Sequence, residues 1–454
     1  MASESKTLAD VMESQVPSLG DKEGSEILEE FPVLKHSDVP SPSHSEFPEG
    51  GLAAWATVFG SFLVQVCTLG YSLSFGVYQD FYTQHYLINE TPSAISWIGS
   101  LSAFLMLSVG VISGSLYDGG YFYHLIIAGS LLQSFSLFML SLAKPNQYYQ
   151  IFLAQSVCSG LASGLLYIPS LAVISHHFRW KRTLAMSLVA SGSSLGSIIF
   201  PIMLNNLLNS PAGFANGVRA SAGLVSGLLV IACLCMRTRL DPPAIPVNYI
   251  SVIKKCIHDV PFVFMMAGNF LFVIGAYYPA FFLQLDSIKH GVSSTFSFYS
   301  LVILNASNFI GRVTSGYIAA FTGVQNLTIL AAFSCAVVIF GMIGLSSLVS
   351  VVVLGVFYGS FAGVWAAMTA PLLTTLVSDV SELGARMGIT FFINGLGFLI
   401  GPPISGALLT SNYTWWAPAL FSGIVALAGA MMYTLMRLTF VRSQIKGNAT
   451  RSRL

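Results

Sequence analysis

Charge is scarce in this chain. Only 9% of its 454 residues are Asp, Glu, Lys or Arg, and mean hydropathy is +0.73. A soluble domain needs more charge than that on its surface. A polytopic helical membrane protein does not, because lipid is most of its surroundings. The charge is also unevenly placed: 11 of the 19 acids precede Gly50, which leaves 8 for the rest. No apolar run holds an Asp or Glu at its middle. Asp80, Glu90, Asp286 and His290 fall near one set of ends, His176 and His177 near the other. The six cysteines (Cys67, Cys158, Cys233, Cys235, Cys256, Cys335) are scattered with no C-x-x-C, so no metal site or disulfide framework is indicated. No P-loop, H-E-x-x-H or G-x-S-x-G is present, which argues against an ATP-driven pump and against an enzyme. No cofactor is called for. A formal net charge of +1 points to no nucleic-acid partner.

What the chain has in abundance is long apolar runs. Broken at Gly, Pro and charge, they give twelve spans: 52–80, 93–117, 121–143, 147–175, 181–208, 214–236, 260–285, 293–320, 323–345, 348–377, 384–409 and 413–437. Each is near the ~20 residues that a helix needs to cross a bilayer. Residues 1–48 read as a disordered acidic cytosolic tail, without the basic start and apolar core of a signal peptide. Residues 237–259, with Pro242, Pro243 and Pro246, read as a cytosolic connecting loop, and 438–454 as a basic cytosolic tail.

Lys and Arg set the orientation. With the amino terminus inside, the inside loops hold Arg179, Lys181, Arg182, Arg237, Arg239, Lys254, Lys255 and Arg386, and the tail adds more. The outside holds Lys144, Arg219 and Lys289. Both termini then face the cytosol, and the sequons at Asn89 and Asn412 fall outside, where glycosylation occurs. The plasma membrane is the expected location, the vacuolar membrane the alternative.

The chain repeats itself. Gly114 and Gly316 stand 202 apart, as do Pro169 and Pro371; Gly196 and Gly397 stand 201 apart, as do Pro201 and Pro402. A shift of six spans preserves direction, so 49–236 and 260–437 are expected as two parallel-repeat six-helix bundles, all α. Small-xxx-small pairs such as Gly110/Gly114 and Gly192/Gly196 mark close helix approaches.

One cation lies deep. Arg312 sits inside the eighth span, with Asn308 one turn before it on the same face. A buried arginine costs at least about 2.5–3.5 kcal/mol on insertion scales, so it faces a cavity or a partner. Its planar fork suits a carboxylate. Arg312 and Asn308 are therefore the expected centre of a substrate path for a small, carboxylate-bearing molecule.

Three stretches, Pro48–Trp55 at the first span, Phe178–Ala185 with Gly192–Gly196 at the fifth, and Gly397–Gly406 at the eleventh, resemble signatures of the major facilitator superfamily, and more closely of its fungal monocarboxylate-porter-like branch. The resemblance implies the major facilitator fold and transport by alternating access around a cavity lined mainly by spans 1, 4, 7 and 10. Polar and aromatic residues there are Gln65, Tyr71, Gln155, Tyr167, Asn269, Tyr277, Tyr358, Trp365 and, from span 11, Asn394. The family's loop between spans 2 and 3 is basic; here only its acid survives, as Asp118, which the resemblance assigns to a gate against span 11 and Arg386. In animal carboxylate porters the eighth span carries an aspartate where this chain has Asn308, and the first a lysine where it has Leu73. Losing both argues against proton–lactate symport. The expected function is a transporter of a small organic acid or related metabolite. The alternative is efflux of a fungal secondary metabolite, and a nutrient receptor on the same fold ranks below both.

Overall fold

A computed structural model describes residues 50–211, 213–239, 249–377, 382–409 and 414–451, the side chains of 92–93, 249–250, 294–295 and 446–451 apart. The expected tail over 1–48 and the sequon at Asn412 lie outside the described residues.

The described chain is helical. The first half runs α1 (Leu52–Tyr86), α2 (Pro92–Asp118), α3 (Phe122–Leu140), α4 (Tyr148–His176), α5 (Arg182–Leu208) and α6 (Gly213–Cys235). A short helix, α7 (Tyr249–His258), occupies part of the stretch expected as a loop. The second half runs α8 (Val260–Lys289), α9 (Ser294–Thr322), α10 (Val324–Gly344), α11 (Leu348–Leu376), α12 (Leu383–Leu409) and α13 (Trp416–Arg451). α13 continues well past residue 437, where the basic tail was expected to begin.

Among the described residues, eleven helices are long and apolar enough to cross a membrane. α9 is the exception. At 29 residues it has ample length, but Asn305, Asn308, Arg312 and a serine-rich start dilute its apolar content.

Local chemistry sets the helix ends. Thr91 caps α2 by accepting the Ala94 N–H at 3.2 Å, and Ser293 caps α9 by accepting the Phe296 N–H at 3.3 Å. Ser347 and Ser350 form a capping box on α11. Gly323 sits at φ 79°, a backbone region glycine enters without strain, and reverses the chain between α9 and α10 in one residue. α1 and α4 contain wide π-helical turns, at Val66–Gly70 and Tyr82–Tyr86 in α1 and at Phe152–Cys158 in α4.

The two halves use the same pairings. α1 lies along α5, where Gly192 backs onto the Phe62 carbonyl; α8 lies along α12, where Gly401 backs onto Ile274. α2 lies along α4 at Gly164 and Met106; α9 lies along α11 at Gly363 and Asn308. The repeated prolines hold matching places, Pro169 in α4 and Pro371 in α11, Pro201 in α5 and Pro402 in α12. Below, the near end is the one at which α1 begins, and the far end is the other.

Candidate functional site

The halves meet along two seams, and glycine makes the first possible. α2 crosses α12 with Gly114 against Gly384 and Gly110 against Gly388. A Cβ at Gly114 would stand 2.1 Å from the Gly384 carbonyl oxygen, so only hydrogen allows this approach. At the near end of the seam Asp118 accepts the Gly384 N–H at 2.9 Å and the Ala385 N–H at 2.7 Å. It thereby caps α12, where the helix dipole favours a negative charge. Asp118 is buried, as is Arg386 one turn into α12. Arg386 reaches Glu382 at 3.3 Å and Asp259 at 3.4 Å and lies over the Phe262 ring. Lys255 of α7 pairs with Glu382, and Val252 and Cys256 seat α7 inward. α7 is thus tied to the same end of α12 that Asp118 caps.

The second seam joins α5 to α9. Near the end, Gly316 faces Leu184 and Ser187. Deeper, Ser194 donates from Oγ to Asn308 Oδ1 at 2.6 Å. Arg312 donates from Nε to the same oxygen at 2.8 Å and from Nη1 to the Ala190 carbonyl at 2.9 Å. Two donors from opposite halves therefore share one amide oxygen. Tyr167 of α4 and Tyr277 of α8 lie within electrostatic reach of the guanidinium. Arg312 is 7% exposed. Gly311, beside it, backs onto the Ser360 carbonyl of α11, which turns the arginine toward α5. Around this one cation gather α4, α5, α8 and α9.

The other expected site residues are distributed. Tyr167 packs edge-on against Phe391 of α12, with ring centroids 5.2 Å apart. Gln65 donates to Ser170 Oγ at 2.9 Å inside the first half. Tyr71 shares a 2.6 Å hydrogen bond with Tyr78. Asn269 accepts from the Tyr433 hydroxyl at 2.7 Å, which in turn accepts from the Trp365 indole at 2.9 Å, all within the second half. Tyr358 donates to the Ala276 carbonyl. The Asn394 Oδ1 is buried with no partner among the described residues. Asn89 lies exposed in the turn between α1 and α2, at the far end.

Sequence reasoning passed over Ser194, Ala190, Glu382, Asp259 and Lys255. Ser194 stands inside the motif Gly192-Ser-Ser-Leu-Gly196, so a signal was there; the Ala190 carbonyl carries none.

The profile of the Major Facilitator Superfamily matches residues 52–381. The aspyridones efflux protein apdF of Emericella nidulans is 35% identical over 392 residues, 86% of this chain and 79% of that one. The fujikurins efflux protein of Gibberella fujikuroi is 34% identical, over 86% and 85% of the two chains. The agnestins efflux protein AgnL12 of Paecilomyces divaricatus is 33% identical, over 91% and 96%. Among solved structures, the E. coli fucose:proton symporter FucP superposes with a TM-score of 0.66, covering 84% of this chain and 98% of that one at 13% identity. The human organic anion transporter MFSD10 superposes at 0.67, over 84% and 99%, also at 13% identity. At that identity the likeness is one of fold. Paired helical halves closing on small-residue seams and a profile match over most of the length agree: the chain belongs to the Major Facilitator Superfamily.

Proposed function

We propose that this transporter exports a small secondary metabolite by alternating access between its halves. The observation that carries the reading is the set of relatives, matched along most of their lengths and named as efflux proteins for aspyridones, fujikurins and agnestins. On this reading α9 is a twelfth span, its polar face covered by α5 and α11, and the halves are two six-helix bundles. The near end is cytosolic, because it carries Arg179, Lys181, Arg182, Arg237, Lys254, Lys255 and Arg437 against Lys144, Arg219 and Lys289 at the far end. The plasma membrane is the place for an exporter, and Asn89 then faces outside.

Asp118 is the near-end latch. Arg312 and Asn308 tie the halves in the closed-seam state and turn to the cargo when Ala190 and Ser194 withdraw. Tyr167, Gln65, Tyr71, Asn269, Tyr358 and Asn394 are the further polar groups a cargo meets. A second reading, an organic acid as cargo, is favoured by the Arg312 fork alone. Kinship with the carboxylate-porter-like branch is held at the same level.

The test is transport in a transporter-deficient yeast. Cells are loaded with a panel of oxygenated fungal metabolites and, separately, with labelled monocarboxylates, and retention is followed in time. Faster loss of a metabolite supports export. Uptake of a monocarboxylate with every metabolite retained overturns it.

A further inference from the structure

We propose that an alcove within the first half, between α1, α2 and α4, is a binding subsite for one uncharged oxygen of the cargo, a ketone, lactone or amide carbonyl carried on a flat ring. The proposal rests on the efflux reading and narrows its substrate class.

The alcove is a small cleft of about 20 Å³, lined by Tyr71, Ser72 and Phe75 of α1, Gly99 and Ser102 of α2, and Gln155 and Ser159 of α4. That volume holds about one water-sized group, so it admits a single oxygen and leaves the ring that carries it outside. Gln155 is the central group. It is 6% exposed, and its Oε1 accepts the Tyr82 hydroxyl at 2.6 Å. Tyr82, itself fully buried, therefore fixes the amide with its Nε2 toward the alcove. Neither N–H of that Nε2 has a protein partner among the described residues. The Ser102 Oγ, 8% exposed, has none there either. Ser159 uses its proton on Gln133 Oε1 at 3.2 Å.

Amide donors left unpaired in a membrane interior cost several kcal/mol unless something meets them. Gln133 of α3 also has an Nε2 unmatched among the described residues, but that atom is sealed in the helix packing, whereas Gln155 borders open space. Here the acceptor is matched and the donors are not, which selects an incoming acceptor. No charged side chain lines the alcove, so a carboxylate would find no counter-charge there. A neutral carbonyl oxygen fits both conditions.

Two aromatic side chains border the cleft. Phe75 lies flush on Gly99, where a Cβ would come within 2.2 Å of its Cδ1. Tyr71 supplies a second aromatic wall, and it is held by the Tyr78 hydroxyl. The wide π-helical turns also fall here: Val66–Gly70 leads directly into Tyr71, and Phe152–Cys158 contains Gln155. One extra residue in a turn rotates the face that follows, and such turns concentrate at functional sites.

The test uses the purified full chain in lipid nanodiscs and two fluorescent probes of similar shape, 7-methoxycoumarin with its lactone carbonyl and 2-methoxynaphthalene without one. The wild type binds the coumarin about tenfold more tightly, the worth of roughly one hydrogen bond. Gln155→Leu brings the ratio to about one, and Ser102→Ala lowers it severalfold. A wild type that binds neither probe, or a ratio unchanged in both variants, overturns the subsite. Should Gln155→Leu not fold, Ser102→Ala and Gly99→Ala decide, the latter by pushing Phe75 into the alcove. Export from yeast is scored separately. Carbonyl-selective binding without export of any panel compound refutes the efflux reading and leaves the subsite standing. Export with an unchanged binding ratio in the variants refutes the subsite alone.

Discussion

Replacing Gly114 with alanine drives a wedge into the seam between α2 and α12. The new methyl would lie 2.1 Å from the Gly384 carbonyl oxygen and 2.8 Å from its carbonyl carbon, whereas real Cβ contacts essentially never fall under 3.0 Å. Both obstacles are backbone, so no rotamer relieves them, and the helices must part by about 0.9 Å. Overpacking of this kind costs about 1–3 kcal/mol. One turn away, Asp118 holds the Gly384 N–H at 2.9 Å; the same shift takes that bond out of hydrogen-bond range. A lost bond to a charged group adds about 1.5–3 kcal/mol. The sum, about 2.5–6 kcal/mol, falls only on the state in which this seam is closed. At about 1.4 kcal/mol per decade, it shifts the population toward the near-end-open state by roughly sixtyfold or more. Spin labels at Tyr121 and Phe321, both exposed at the near end, read this as a longer distance distribution in a cysteine-depleted background. Gly227→Ala is the control, since its Cβ would meet nothing within 4 Å. If the Gly114→Ala distribution overlays that of the wild type, the seam is not what holds the near end shut.

Four further outcomes are expected. Asp118→Asn keeps the shape but removes the charge facing the α12 amino terminus, and should lengthen the same distance less than Gly114→Ala does. Arg312→Lys loses the fork that reaches Asn308 and Ala190 together, and should slow transport with surface expression unchanged. His290→Ala leaves the fully buried Asp286 carboxylate without the partner it has at 2.8 Å. The melting temperature should drop, by less than the ~3–5 kcal/mol equivalent of a fully buried pair because His290 is about one-third exposed, and Asp286→Asn added to it should recover part of the loss. Burial pushes the Cys256 thiol in α7 up to about 11. Maleimide should therefore label it slowly at pH 7 and faster as pH rises toward 11, and rapid labelling at pH 7 would mean that α7 is not seated on α12.

Much of this architecture was legible because lipid makes hydropathy a simple code. The span limits follow apolar runs closely, and the repeats at Gly114/Gly316 and Pro169/Pro371 fall in matching helices. α9 shows where the code weakens. The residues that single it out, Asn308 and Arg312, are also those that lower its apolar content, so the polar groups proposed for the site weaken the apolar signal of their own helix. Arg312 could be picked out as a buried cation, but its partners could not. One is a backbone carbonyl, at Ala190, which every residue has. The other is Ser194, one serine among several in α5. α7 hid in a polar, proline-bearing stretch because, among its described side chains, Val252 and Cys256 alone are buried; its anchors are the ion pair Lys255–Glu382 and, from the residue just past its end, Asp259–Arg386, which are long-range in sequence.

The helix pairings repeat between the halves, but the charges do not. Gly114 of the α2–α12 seam and Gly316 of the α5–α9 seam are repeat partners. Yet the counterpart of Asp118, four residues past Gly316, is Ala320, so only the first seam has a carboxylate latch at its end. The second seam has its polar contact deeper, at Arg312, whose repeat counterpart 202 residues earlier is Gly110. On the proposed alternating-access reading, opening of the near end brings Asp118 to water, which can replace the N–H groups it releases. Arg312, buried between α5 and α9, cannot lose Ala190 without leaving donors unpaired, a cost of several kcal/mol. Opening without cargo should therefore be disfavoured at this seam alone, and a cargo oxygen that meets the released donors lowers that cost. An Arg312→Met variant, which has no donors to strand, should open as readily empty as loaded in the same spin-label measurement; one that still required cargo to open would place the coupling elsewhere.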